Sequence, residues 1–290
     1  MTASQRCAAP DTAMNSSDPF LSRIRTAVLE GRGLDLAYYK ESFIRRRLGI
    51  RLRALGFTRL ARYAAYLDAE PAEMDLLVSG LTVNVSEFFR NPEVFRILDS
   101  EVIPGLVRHC RRQRRPLGFW SAGCAGGEEA YSVAILLRRA GLRNAETSLL
   151  GTDIDGSVVT RARAGVFETH HMRELDEATR TEFFRSEGSE TDFRIRRDRL
   201  PPVRFQVRDV MRQPFQRDLD LVLCRNLLIY IEPGLQERLL ATLTQVLRPG
   251  GVLVLGRVER LLGEARHAFE TVHASERVYR KLAPGAHHAT

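Results

Sequence analysis

The sequence lacks both paired cysteines and long apolar runs. Its four cysteines, Cys7, Cys110, Cys124 and Cys224, are scattered and form no CxxC pair. This spacing argues against a disulfide framework or a zinc ribbon and is typical of a protein of the reducing cytosol. No run approaches the roughly 18 apolar residues that a transmembrane helix requires. The first twenty residues also contain no continuous apolar stretch, so they do not predict a secretory signal.

Lysine is almost absent too. Lys40 and Lys281 are the only two among 44 basic residues, so arginine carries nearly all of the formal net charge of +8. The base composition of the genome explains so complete a preference for arginine over lysine. The sign of the net charge still predicts an anionic partner: nucleic acid, an acidic membrane or an acidic protein. The chain of 290 residues is 44% apolar and 28% charged, which is ordinary for a globular protein of one large or two modest domains.

The N-terminal third predicts helices. Residues 1–18 show no periodicity and predict a disordered tail. Beyond them, apolar residues recur at helical spacing, first at Ile44, Leu48, Leu52 and Leu55 and then in segments 60–68 and 72–81. We therefore expect a helical N-terminal domain over 19–90 and a helical linker over 91–115.

The positive charge is concentrated in this helical region. Residues 21–62 contain eleven basic and three acidic side chains, a net of +8 that equals the charge of the whole chain. Five arginines fall within nine residues with no acid between them: Arg45, Arg46, Arg47, Arg51 and Arg53. They predict either a solvated helix face or a docking surface for an acidic partner.

From residue 116 onward, strands and helices alternate, which predicts a doubly wound α/β sheet with its site at the carboxyl ends of the strands. The intervening segment 166–205 is polar and mixed in pattern, and the chain ends in a predicted hairpin and a second disordered tail at 283–290. The predicted strands cover 117–122, 148–153, 219–224, 252–256, 269–272 and 277–282, and the predicted helices cover 128–140, 156–164 and 233–247.

A glycine-rich turn follows the first strand, in SAGCAGGEEAYS. Gly123, Gly126 and Gly127 suit a backbone that turns sharply and approaches a ligand. The turn lacks the GxGxxG pattern of dinucleotide sites, and Glu128 and Glu129 follow it at once. A pyrophosphate at this helix start would meet like charge, whereas S-adenosylmethionine carries positive sulfonium and ammonium groups. The turn favours S-adenosylmethionine over NAD, unless the glutamates serve only to stabilise the helix N-terminus.

Two aspartates follow the second strand, in TDID. Asp153 lies at the strand tip, where an acidic residue can bind the two ribose hydroxyls of a nucleoside. Asp155 begins the next helix and is more simply explained as its N-cap.

Five segments occur along the chain in a characteristic order and spacing: TVNVSEFFRNPEVF, FWSAGCAGGEEAYSVA, GTDID, LVLCRNLLIYI and LRPGGVLVLG. Upstream of them lies YYKESFIRRRLGIRLRALG. Together the five segments resemble the chemotaxis receptor glutamate methyltransferases, the CheR family, and the upstream stretch resembles the helical domain of that family. The likeness spans roughly residues 33–282.

The resemblance implies a class I, Rossmann-like methyltransferase domain over 116–282, with a small antiparallel β insertion at 166–205, preceded by the all-helical domain. It implies methyl transfer from S-adenosylmethionine to chemoreceptor glutamates, which yields glutamyl methyl esters and S-adenosylhomocysteine. Arg90 and Tyr230 would face the methyl group and the incoming glutamate. The cofactor pocket implied by the resemblance comprises Asn84, Ser86, Arg90, Gly123, Glu128, Asp153, Asp209, Val210, Arg225 and Asn226.

The chemistry agrees with this assignment. A glutamate carboxylate has an ordinary pKa of about 4.3, so it is ionised near neutral pH and needs no general base. The protein must then position the nucleophile, and Arg90 can hold a carboxylate bidentately. The alternative for Arg90 is a surface ion pair with Glu93.

The chain departs from the family pattern at Gly126, Ala130, Asp209 and the pair Arg257-Val258. None of these changes removes a predicted catalytic group, although cofactor affinity could differ. The adjacent His170 and His171 have no third ligand nearby, so they predict no metal site.

The implied partner is the acidic, coiled-coil cytoplasmic region of chemoreceptors. We expect a cytoplasmic monomer, recruited to receptor arrays at the inner face of the membrane without inserting into it, and no nucleic-acid partner. Two alternatives remain at this point: a nucleic-acid methyltransferase, which salt-sensitive binding would support, and a non-catalytic cofactor-binding adaptor.

Overall fold

The computed structural model describes residues 18–188, 191–212 and 217–283. The chain divides into two compact units after Thr82, rather than at residue 90 as the sequence suggests. Apart from Asp18 and Ala283, the two predicted tails lie outside the described residues, as does Cys7.

The described part of the first unit is helical. Its first helix begins after Asp18, whose side chain accepts the Phe20 N–H, and ends at Gly33 in the left-handed conformation. The predicted apolar stripe is confirmed at Ile44, Leu48 and Leu52, which are buried, whereas Leu55 follows the helix and is half-buried. The helices are α1 (Pro19–Arg32), α2 (Glu41–Ala54), α3 (Leu60–Ala69) and α4 (Pro71–Leu81).

The second unit contains the predicted alternation of strands and helices. A π-helical stretch at Leu98–Val102 joins its first two helices into one continuous rod. The helices are α5 (Pro92–Ile97), α6 (Ile103–Arg112), α7 (Glu128–Arg139), α8 (Gly156–Ala164), α9 (Glu177–Phe183), α10 (Pro233–Val246) and α11 (Ala265–Ala268). The strands are β1 (Leu117–Ala122), β2 (Thr147–Asp153), β3 (Val166–Glu168), β4 (Phe184–Ser186), β5 (Asp192–Ile195), β6 (Val203–Val207), β7 (Leu219–Cys224), β8 (Leu247–Leu255), β9 (Phe269–His273) and β10 (Val278–Lys281).

Within the described residues, seven strands form the main sheet in the order β6-β2-β1-β7-β8-β10-β9. Strands β6, β2, β1, β7 and β8 pair in parallel, and the hairpin of β9 and β10 adds the antiparallel edge. Every residue of β1 and β7 is buried, as expected for strands covered on both faces. Strand β1 lies between β2 and β7, so the chain winds outward in both directions from it. The crevice at this switch point is where doubly wound sheets bind ligands.

Within the described part of 166–205, strands β3, β5 and β4 form a second, antiparallel sheet in the order β3-β5-β4, which is the predicted insertion. One part of the prediction is wrong: β6 falls partly within 166–205 but belongs to the main sheet, where it pairs with β2. In DFRIRRDRL, only the first four residues form a strand, because β5 ends at Ile195 and a 3₁₀ turn covers Arg197–Arg199. Pro201 and Pro202 follow that turn, and proline cannot donate to a sheet ladder.

In the ranges that the structure describes, no helix has the length and apolar character needed to cross a bilayer.

Candidate active site

The glycine-rich turn connects β1 to α7 at the carboxyl edge of the sheet. The N–H groups of Gly123 and Cys124 donate to the Thr152 carbonyl at 2.8 and 2.9 Å, which ties the turn to the end of β2. Gly127 has a φ of 93°, and a Cβ there would lie 3.0 Å from Phe205. Only glycine fits that position, because both the backbone conformation and the packing exclude a side chain.

Glu128, the first residue of α7, is a buried acid. Its side chain is 2% exposed, and its Oε2 has no hydrogen-bond partner among the described residues. Burial raises the pKa of Glu128 to about 7, although the Ser86 hydroxyl donates to the carboxyl and acts in the opposite direction. The structure thus brings two predicted cofactor residues together and leaves one buried acceptor oxygen unfilled. Such an oxygen suits a cationic ligand group.

Asp153 lies at the end of β2, as the sequence predicts. Its Oδ2 accepts the Ala125 N–H at 2.9 Å and its Oδ1 accepts the Asp155 N–H at 3.0 Å. Burial raises the pKa of Asp153, and these N–H groups oppose the shift. The carboxylate therefore organises the glycine turn, and each oxygen keeps a further lone pair for a ligand hydroxyl.

Asp155 caps α8, which confirms that prediction: its Oδ1 accepts the Ser157 N–H at 2.8 Å. Its Oδ2 accepts from Asn84 Nδ2, also at 2.8 Å. Asn84 therefore anchors the segment 83–91 beside the end of β2.

The segment 83–91 is attached at two further points. The Phe88 N–H donates to the His171 carbonyl at 2.9 Å, and the Phe89 N–H donates to Ser132 Oγ at 3.0 Å. Phe89 itself has a φ of 53°, which is unusual for an aromatic residue and is maintained by these surrounding bonds.

Arg90, the predicted catalytic arginine, is half-buried on this segment. Its Nη1 donates to the Val85 carbonyl at 3.0 Å. The alternative ion pair with Glu93 is absent from the described contacts, because Glu93 pairs with Arg96 instead.

Arg225, which follows β7, connects that strand to the segment 83–91. Its Nη2 donates to Asn91 Oδ1 at 2.7 Å and to the Arg90 carbonyl at 3.0 Å, and its Nη1 lies 3.3 Å from Glu129 Oε2. Glu129 also accepts the Ser121 hydroxyl. The structure thus commits this predicted cofactor residue to contacts within the protein.

Sequence reasoning missed Glu259, a buried acid after β8. Its Oε2 accepts the N–H groups of Asn226 and Gly256 at 3.0 and 2.6 Å, and its Oε1 accepts that of Ile229 at 3.3 Å. Burial raises its pKa while these N–H groups oppose the shift. The signal in the sequence that could have identified Glu259 is its position just after a predicted strand, at the carboxyl edge of the sheet. Glu259 shapes the loop that carries Asn226 and Tyr230, both half-buried.

The remaining predicted pocket residues follow β6. The Arg208 N–H donates to the Asp153 carbonyl at 2.8 Å, so this loop adjoins the end of β2. Asp209 Oδ1 accepts the Met211 N–H at 2.8 Å, and Val210 is half-buried. The parallel strands thus gather the predicted residues at one edge.

Two of the departures from the family pattern, Gly126 and Arg257, have local explanations. A Cβ at Gly126 would lie 2.5 Å from Glu128 Oε1, so a larger residue there would displace that carboxyl. Arg257 forms a bidentate pair with the buried Glu276 at 3.0 and 2.8 Å. Ala130 is fully buried in α7, and nothing in the structure distinguishes it from the family residue.

The five arginines of α2 differ in exposure. Arg51 forms a bidentate pair with Glu73 at 2.9 and 2.5 Å, and the Tyr63 hydroxyl donates to the same carboxylate at 2.8 Å. Glu73 is 3% exposed, so this pair belongs to the interior of the first unit. Arg45 pairs with Glu41 on the same helix and Arg47 is half-buried, whereas Arg46 and Arg53 are exposed.

Two family models match the chain. The CheR methyltransferase SAM binding domain matches residues 84–278, and the CheR methyltransferase all-alpha domain matches residues 20–82. The boundary between the two matches coincides with the boundary between the two compact units.

Curated relatives agree with the models. The chain is 32% identical over 242 residues to a chemotaxis protein methyltransferase of Listeria innocua, and the match covers 83% of this chain and 90% of the relative. It is 32% identical over 255 residues to chemotaxis protein methyltransferase 2 of Pseudomonas aeruginosa, at 86% and 89% coverage. It is 31% identical over 268 residues to a chemotaxis protein methyltransferase of Salmonella typhimurium, at 89% and 90% coverage. The chain therefore belongs to the CheR methyltransferase family, and its second unit is an S-adenosylmethionine-binding methyltransferase domain.

Proposed function

We propose that the chain methylates glutamate side chains of bacterial chemoreceptors, with S-adenosylmethionine as the methyl donor. The products are glutamyl methyl esters and S-adenosylhomocysteine. The names of the relatives support a role in chemotaxis. The observation that carries the proposal is the buried Glu128 carboxyl, whose unpartnered Oε2 lies at the glycine turn beside Ser86.

This arrangement fits the cofactor. A cationic amino group beside Glu128 would fill the vacant acceptor and compensate the burial of the carboxylate. Asp153 has acceptor capacity for ribose hydroxyls, and Asp209 and Val210 adjoin the same strand end. When bound, S-adenosylmethionine supplies a methyl group that already carries a good leaving group.

The residues of the protein then position the substrate. A receptor glutamate is ionised near neutral pH, so no group must remove a proton from it. Arg90 holds the incoming carboxylate, and the bonds of the segment 83–91 fix the position of that arginine. A second donor, the Tyr230 hydroxyl, lies on the loop that Glu259 orders. One arginine and one hydroxyl orient the carboxylate without neutralising it.

The first unit provides the receptor contact. Arg46 and Arg53 present exposed positive charge on α2, which suits the acidic coiled-coil region of a receptor at the inner face of the membrane. Each methyl ester removes one negative charge from the receptor, so the product binds this surface less tightly than the substrate.

Labelled S-adenosylmethionine and membranes that contain chemoreceptors test the proposal. We expect base-labile label on the receptor band, a strong loss of transfer in Arg90→Ala and Tyr230→Phe, and little change in their affinity for S-adenosylhomocysteine. Arg96→Ala, which removes an exposed arginine on α5, is the matched control. Label on nucleic acid alone, or cofactor binding without transfer to any receptor, would overturn the proposal.

A further inference from the structure

His171 brings a second titratable side chain to Glu128. It lies in the 3₁₀ turn Thr169–Met172 of the inserted segment, far from α7 in the sequence. Its Nε2 is 3.6 Å from Glu128 Oε1, and its side chain is 13% exposed. The Phe88 N–H bonds to the His171 carbonyl, so the turn is held beside the segment that supplies Ser86. An imidazole and a carboxyl thus share a buried space, and the second carboxyl oxygen remains unpartnered among the described residues.

Charged groups from the neighbouring elements act on this pair. Arg161 of α8 lowers the pKa of both Glu128 and His171, and Glu129 raises that of Glu128. The neighbouring His170 packs against the His171 ring at a centroid distance of 3.9 Å and lowers its pKa, whereas Glu168 raises the pKa of His171. The buried Cys124 thiol, whose pKa is raised well above its usual value, stays neutral.

Burial is the largest influence on both groups and favours their neutral forms. It raises the pKa of Glu128 to about 7 and lowers that of His171 below its ordinary 6.5. In the free protein near neutral pH, His171 is therefore neutral, and the pair binds at most about one titratable proton, which resides on the Glu128 carboxyl.

We propose that His171 is a positioning residue for Glu128, and that binding of a cationic amino group beside this pair releases the proton that the two side chains hold. The inference rests on the proposed placement of the cofactor's amino group at Glu128. Neutral His171 packs beside the carboxyl and keeps it in its buried position. At 3.6 Å its ring nitrogen is a polar neighbour of the ionised carboxylate rather than a hydrogen-bond partner. The arriving ammonium then stabilises the carboxylate, and the proton leaves to solvent.

The sign of the pH dependence follows from this arrangement. Below the pKa of Glu128, the cofactor must displace a proton, so affinity rises with pH by at most about tenfold per unit. Above that pKa the carboxylate is already ionised, and affinity becomes independent of pH. A protonated His171 competes with the ammonium for the same carboxylate, which weakens binding further in acid.

Calorimetric titration with S-adenosylhomocysteine, in buffers of different ionisation enthalpy, tests the inference. We expect proton release on binding at about pH 6 and little at about pH 8.5. In His171→Leu, the carboxyl loses its polar neighbour, so the midpoint of the affinity curve moves to higher pH while the plateau at high pH is retained. His171→Gln, which keeps a polar side chain at this position, should stay close to wild type. His267→Gln is the matched control, because that histidine is exposed on α11.

The outcomes separate this inference from the proposed function. If the affinity of His171→Leu depends on pH as in wild type, His171 has no positioning role. If binding of S-adenosylhomocysteine releases no proton while Glu128→Gln abolishes that binding, the inferred proton release is wrong. In both cases the proposed cofactor placement stands. If Glu128→Gln binds S-adenosylhomocysteine as tightly as wild type at every pH, the placement of the amino group itself is wrong. The midpoint of thermal unfolding is measured for every variant, and a lowered midpoint identifies a variant whose altered affinity results from impaired folding.

Discussion

At the scale of single residues, Gly126 explains how the Glu128 carboxyl reaches its position. A Cβ at Gly126 would lie 2.5 Å from Glu128 Oε1, closer than non-bonded atoms approach. We expect Gly126→Ala and Gly126→Thr to displace that carboxyl and to weaken S-adenosylhomocysteine binding roughly tenfold, which is about 1.4 kcal/mol. Isothermal titration measures the affinity.

Gly156→Ala is the control for the glycine change. A Cβ there would meet only Val207, at an ordinary 3.8 Å, and Gly156 lies in the first turn of α8. Unchanged affinity in both Gly126 variants would show that the carboxyl tolerates the added atom, and the steric argument would fail.

The buried Glu128 also predicts how stability depends on pH. Its folded pKa of about 7 exceeds the ordinary 4.5, so the folded state binds this proton more tightly than the unfolded state. The stability that this proton contributes is fully present below about pH 4.5 and is lost as pH rises to about 7. Between those values wild type should lose about 3 kcal/mol more stability than Glu128→Gln, and urea unfolding at both pH values measures the difference. Parallel curves for the two proteins would contradict the raised pKa.

At the scale of elements, Arg225 joins β7, α7 and the segment 83–91. Arg225→Met removes the donors to Asn91 and leaves Glu129, whose side chain is only 12% exposed, without its cationic partner. Loss of one partner of a buried pair costs about 3–5 kcal/mol, so urea unfolding should show a large decrease in stability. Methyl transfer should fall as well, because the segment that carries Arg90 loses an anchor.

Two comparisons test this role of Arg225. Arg96→Met removes an exposed ion pair with Glu93 and should cost less than about 1 kcal/mol. The double variant Arg225→Met, Glu129→Gln should recover part of the lost stability, since no buried charge remains unpaired. If Arg225→Met lowers the free energy of unfolding no more than Arg96→Met does, this structural role of Arg225 is wrong.

At the scale of the whole molecule, the location of the positive charge matters more than its total. Charge reversal at the exposed Arg46 and Arg53 should lower the rate of receptor methylation about tenfold at low salt, because electrostatic steering is lost. Binding of S-adenosylhomocysteine should not change. Receptor methylation assays at low and high ionic strength measure the effect.

A matched variant separates location from total charge. The double variant Arg108→Glu, Arg112→Glu reverses two exposed arginines of α6, in the second unit, and changes the net charge by the same amount. An equal loss of methylation in this double variant would show that net charge alone governs the reaction, and α2 would not be the docking surface.

Sequence reasoning succeeded where the signal was local. The bounds of β1, β7 and α8 were predicted to the residue, because continuous apolar runs and an N-cap mark these elements. It failed at β6, whose short alternating pattern does not reveal that the strand pairs with β2 at the edge of the main sheet. It also could not separate Arg51 from Arg46 and Arg53, since only the packing of α4 against α2 brings Glu73 to Arg51.

The sequence by itself determined the order of the elements, the glycine turn, the family and the identity of the polar residues at the carboxyl edge. These features depend on periodicity, turn chemistry and motifs that lie within a few residues of one another. Only the tertiary structure decided the partners of those polar residues. Arg225 bonds to a residue 134 positions away, Glu259 orders a loop 30 and more positions earlier, and His171 reaches Glu128 from the inserted segment. Such pairs depend on the order in which strands assemble in the sheet, and packing of the whole core sets that order.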